Sequence, residues 1–99
     1  MRITNALSFD LWAFDDYIIR RIPYRTEHLT LARKAEEKGE LILAGALGEN
    51  GSAFLFLIDS PQVALDFAKK DPYVLNGLIK SYKVLPWAIV IGKDVQNPL

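Results

Sequence analysis

ELILAGALGENGSAFLFLID, residues 40–59, places two apolar runs on either side of Glu49-Asn50-Gly51. Asn-Gly between apolar runs is the strongest short signal for a β-hairpin, because both residues tolerate the backbone conformations that tight turns require. ELILAGAL (40–47) and GSAFLFLID (51–59) therefore read as adjacent antiparallel strands. Each is apolar at both parities. A strand with one solvated face alternates polar and apolar residues, so these two should be covered on both faces.

Working outward, Gly39 is a helix stop, and the helix before it is expected from near Pro23, a good first-turn residue, to Lys38. A short helical turn through Tyr17 to Arg21 precedes it. On a wheel of 3.6 residues, Tyr24, His28, Leu31, Ala32 and Ala35 share one arc, with His28 at its centre and Arg25 at its edge. The chain's one histidine thus points inward. Earlier still, ALSFDLWAF (6–14) reads as a strand that Asp15 and Asp16 end.

Downstream, Ser60 is an N-cap and Pro61 a first-turn residue for a helix that runs to about Lys70. Ala64, Phe67 and Ala68 form its inner stripe. Asp71 lies at i+7 from Ala64, and Pro72 disfavours helix through it. DPYVLNG then reads as Asp71 capping a short turn that Gly77 closes. The last strand spans 79–92, and Pro86 within it marks an edge strand or a bulge. KDVQNPL (93–99) is a polar, loose tail.

The order β-α-β-β-α-β predicts an α+β, ferredoxin-like domain over residues 1–99, a four-stranded antiparallel sheet with two helices on one face. Two helices leave the second face bare, yet the hairpin is apolar on both sides. The expected cover is another copy of the chain: a homodimer, or a higher oligomer built of dimers.

Composition narrows the function classes. The 99 residues carry 12 basic and 12 acidic side chains with no basic run, so a nucleic-acid partner is not expected. The chain has no cysteine, which excludes disulfides, thiolate nucleophiles and Cys-based zinc sites. One histidine is too few for a dedicated transition-metal site, though a mixed carboxylate site stays open; no metal is expected. No apolar run reaches the ~18 residues of a membrane span, so no membrane association is expected. The first residues lack the pattern of a secretory signal, and the expected location is the cytoplasm.

RRIPYRTEHL, GELILAGAL and KKDPYVLNGL, with VLPW after them, resemble the YciI-like (YCII) family across roughly residues 9 to 91. Arg25-x-x-His28-Leu29 and Asp71-Pro72-Tyr73 carry the resemblance most specifically. It implies a dimeric α/β barrel of ferredoxin-like protomers with a His–Asp pair in a pocket, here His28 and Asp71. It also implies that Ser52 lines that pocket. The chain departs where many relatives read Gly-Pro and it has Gly45-Ala46, and where they read Gly-Leu-Phe and it has Gly77-Leu78-Ile79. Family members with a known reaction include a dehydrochlorinase of chlorinated hydroxyhydroquinones, and related barrels include muconolactone isomerases.

Each candidate also has a plain structural role. His28 could be an inward histidine satisfied by a backbone carbonyl, Asp71 a helix cap, Arg25 a surface residue, Ser52 a hairpin residue and Tyr73 a core aromatic. The Asp71 roles are compatible, since one carboxylate oxygen can cap while the other accepts from a histidine N–H. One histidine and one aspartate support proton transfer, with Asp71 orienting His28 as general acid or base. Arg25, Ser52 and Tyr73 are assigned to a small-molecule substrate, and Arg25 could stabilise an oxyanion. The expected function is a cofactor-independent lyase or isomerase acting on a small oxygenated aromatic or a lactone, for example by dehydrochlorination. The alternative is a non-catalytic small-molecule-binding or accessory homodimer.

Overall fold

The computed structural model describes residues 2–12, 14–56 and 60–92. Within them the chain forms β1 (Arg2–Leu11), α1 (Phe14–Arg20), a 3-10 turn (Ile22–Tyr24), α2 (Arg25–Glu37), β2 (Leu41–Ala46), β3 (Gly51–Phe56), α3 (Gln62–Lys70), α4 (Pro72–Leu75) and β4 (Ile79–Ile89). The four strands make one antiparallel sheet in the order β2-β3-β1-β4. This is the ferredoxin-like α+β architecture that the sequence predicts.

One face of the sheet is apolar and covered. Leu7 and Phe9 of β1 and Phe54 and Phe56 of β3 pack with Ala35 of α2 and with Ala64, Phe67 and Ala68 of α3. The small residues on the helices let them lie close to the aromatic rows of the strands. The helix stop at Gly39 is real: its φ of +79° lets its N–H reach the Glu36 carbonyl at 2.9 Å, and the Glu40 N–H reaches Ala35 at 3.0 Å. Among the described residues no helix is long and apolar enough to cross a membrane.

Several boundaries differ from expectation. β1 begins at Arg2 and ends at Leu11, not 6–14. Three of its first four residues, Arg2, Thr4 and Asn5, are polar, and pairing with β4 from Arg2↔Ile89 onward makes them strand. Asp15 and Asp16 do not end a strand. They occupy the first turn of α1, where carboxylates favour the positive end of the helix dipole. The hairpin connection is four residues long, and the positive φ falls at Gly48, at +68°. Gly51 opens β3, where a Cβ would meet the Leu47 carbonyl oxygen at 2.9 Å. Pro61 precedes α3, and the Ser60 hydroxyl accepts from the Gln62 N–H at 3.3 Å. β4 ends at Ile89 rather than 92, and Pro86 lies in it as an edge strand. Residues 57–59, expected to finish the third strand, and the tail 93–99 lie outside the described residues.

Candidate functional site

His28 sits in the second turn of α2 and is buried. Asp71 stands between α3 and α4 and is fully buried. Pro72 explains its pose. A residue before proline is pushed to extended backbone, and Asp71 has φ −67° and ψ 122°. That turns its carboxylate back over the new helix, where Oδ1 accepts from the Tyr73 N–H at 2.8 Å. The same carboxylate accepts from His28 Nδ1, at 3.0 Å from Oδ1 and 2.9 Å from Oδ2. Cap and histidine partner are therefore one group. A carboxylate can only accept, so the proton of the neutral imidazole belongs on Nδ1 and the lone pair on Nε2. Nε2 makes no hydrogen bond among the described residues.

Two rings hold the imidazole. Tyr73 stacks on it at 3.9 Å between centroids and 10° between planes, and Phe54 meets it edge-on at 5.9 Å. Tyr73 is buried, and its hydroxyl has no hydrogen-bond partner among the described residues. Burial raises that hydroxyl's pKa and Tyr17 adds to the rise, while the Arg25 and Arg21 charges oppose it. Among the described residues no hydrogen bond of good geometry joins Arg25 to that hydroxyl, and the guanidinium acts on it as a nearby charge.

His28 opens on a cavity of about 430 Å³ bounded by α1, the start of α2 and the β2–β3 hairpin. Arg25 and Ser52 line it as well, with Tyr17 and Arg21. Asp71 and Tyr73 do not. They back His28 from inside, so Tyr73, expected at the substrate, instead supports the histidine. Arg21 and Tyr17 were not singled out by the sequence. The available signal was the four-residue spacing from Arg21 to Arg25, which Pro23 obscured by suggesting that the helix starts after Arg21. A second hollow of about 350 Å³ lies between α2 and α3, walled by Lys34, Lys38 and Lys70 together with Glu40 and Asp66. Among the described residues no three side chains of His, Cys, Asp or Glu gather as metal ligands.

The fold is shared with several solved structures. 5-chloro-2-hydroxyhydroquinone dehydrochlorinase from Burkholderia phenoliruptrix AC1100, solved with 2,5-dihydroxybenzoquinone, superposes at a TM-score of 0.66 and 18% identity, over 85% of this chain and 93% of that one. A dimeric ferredoxin-like protein from an uncultured marine organism gives 0.54 and 14%, over 96% and 92%. A transcriptional regulatory protein of the AsnC family from Pyrococcus furiosus gives 0.56 and 11%, over 93% of this chain and 55% of that one. Identities this low establish the fold and no more. No curated protein sequence matches the chain. Residues 14–88 match the YCII-related domain, from the first helix through most of the last strand, and the chain belongs to the YCII-related family.

Proposed function

We propose that the chain is a cofactor-independent proton-transfer catalyst of the lyase or isomerase type, acting on a small oxygenated aromatic or a lactone. One observation carries this: the only histidine has Nδ1 committed to a buried carboxylate at 2.9 Å and opens on a cavity, with its other nitrogen unbonded among the described residues. That arrangement leaves a basic nitrogen where a substrate would lie. His28 Nε2 takes a proton from a substrate C–H or O–H. The released electron pair moves toward a ring carbonyl and either expels a halide or is reprotonated at another carbon. Asp71 balances the imidazolium formed, Arg25 faces the developing oxyanion, and Ser52 offers a hydroxyl to the substrate. The fold match to a dehydrochlorinase is consistent with this chemistry.

The protein acts as a homodimer with its sheets face to face. Leu43, Leu85 and Trp87, on the side of the sheet away from the helices, are 60%, 49% and 54% exposed, large apolar side chains gathered on the face that a second sheet would cover. The dimeric description of one structural neighbour supports this. Sedimentation should give a dimer, and a stable monomer at micromolar concentration would refute it.

The functional test is turnover of chlorinated hydroxyhydroquinones and lactones by wild type and His28→Ala. We expect the variant to lose about 10²–10⁴-fold in rate while keeping its fold. Binding of these compounds with no turnover in either protein would favour the alternative, a small-molecule-binding dimer.

A further inference from the structure

Proton transfer at His28 makes no use of Arg21. Arg21 and Arg25 are four residues apart and both line the cavity. Among the described residues neither forms an ion pair, and no Asp or Glu lines the cavity. The residue beside them behaves differently: Arg20 pairs with Asp16 at 3.5 Å and reaches the Gly77 carbonyl at 3.4 Å. Arg21 instead lies 5.3 Å above the ring of Tyr17, which holds its side chain without neutralising it. A guanidinium does not lose its proton in proteins, so both charges persist, and like charges at this spacing repel. Asp71, the acid behind His28, is already engaged by His28 and the Tyr73 N–H.

A further observation points to the kind of ligand. The remaining wall is largely apolar, with Leu11, Ile18, Leu29 and Ala44 among its residues. The cavity thus pairs a concentrated positive end with an apolar body. A carboxylate has two oxygens and room for a donor fork on each, which suits two guanidinium groups better than one.

We propose that the cavity selects a small organic carboxylate, and that Arg21 acts with Arg25 as its specificity-determining residue. The proposal rests on the cavity being the ligand site of the reading above, but not on any proton transfer there.

The test uses the intact protein and two probes of equal size, 4-hydroxybenzoate and 4-hydroxybenzamide, of which only the first bears a carboxylate at neutral pH. Binding is followed by calorimetry or by shifts of backbone amide resonances. Wild type should bind the acid about tenfold more tightly than the amide, the value of one charge-assisted hydrogen bond. Arg21→Gln should weaken the acid about tenfold and leave the amide unchanged, while Arg21→Lys keeps part of the preference. Arg33→Gln, on α2 away from the cavity, should change neither. Equal affinities, an Arg21→Gln variant that binds the acid as wild type does, or no binding of either probe at about 10 mM would overturn the proposal. Turnover assays on the same samples separate the two readings. A preference for the acid without turnover of any hydroxyquinone or lactone leaves this proposal standing and removes the proton-transfer one. Turnover without that preference does the reverse.

Discussion

Helix α2 divides two hollows of similar size, about 430 Å³ at its start and about 350 Å³ at its end, and both have basic walls. In the second, Lys34, Lys38 and Lys70 share the wall with Glu40 and Asp66, so opposite charges offset one another and the field is weak. In the first, two arginines face no carboxylate among the described residues, and Asp71 is hidden behind a histidine. A count of charged residues would rank the second hollow higher. What separates them is which charges are left unanswered, and which titratable group is held in one orientation by a partner that the cavity cannot reach.

The contrast breaks most readily at Asp71. Asp71→Asn keeps the shape and can still accept from the Tyr73 N–H, but it removes the charge that favours one histidine tautomer. We expect turnover to fall by about 10²-fold or more, with a modest change in thermal stability. Unchanged turnover would reduce Asp71 to a cap, and the two hollows would then differ less than proposed.

Asp71→Ala goes further. It leaves the Tyr73 N–H and His28 Nδ1 without their buried acceptor, and the expected cost is about 2–4 kcal/mol in denaturant unfolding. A loss equal to that of Asp71→Asn would show that the negative charge, rather than the acceptor, stabilises this corner.

A smaller effect sharpens the comparison at high pH. Burial raises the Tyr73 hydroxyl in the folded chain, so its contribution is complete below the unfolded pKa of about 10 and is lost as pH climbs from there toward the folded value. Wild-type stability should fall through that window more steeply than that of Tyr73→Phe. At neutral pH the variant keeps the ring stack and discards a polar atom with no partner, so its stability should match or exceed wild type by up to about 1 kcal/mol. Parallel alkaline profiles would contradict this account of the hydroxyl.

The smallest expected effect is at the other end of α2. Replacing Lys34 and Lys38 together by Gln should leave turnover and 4-hydroxybenzoate binding within error of wild type. A clear loss would move the functional emphasis to the second hollow.

The order of elements was legible because it follows from short-range rules, which also turn His28 and Asp71 inward one by one, whereas their pairing across 43 residues was implied by the family resemblance. An apolar arc places His28 inward, and the Asp-Pro step places the carboxylate at a cap. What escaped the sequence depended on tertiary partners. The polar residues Thr4 and Asn5 form strand, and are buried, because β4 pairs alongside them. The acidic pair Asp15-Asp16 looks the same whether it ends a strand or begins a helix. Tyr73 could not be told from a substrate contact until its ring was seen against the imidazole. Arg21 was hidden because Pro23 suggested a break where a 3-10 turn carries the helical path onward to α2.

The stack of Tyr73 on His28 has a spectroscopic consequence. An aromatic ring lying parallel at 3.9 Å places the imidazole protons in its shielding cone. Their magnetic resonance signals should stand upfield of those of a free histidine, and because the chain has one histidine they need no assignment. A ligand that entered beside the ring or tilted it would move a lone, pre-labelled peak. The residue proposed to handle the proton would then also report, in the unmodified protein, when the cavity is filled.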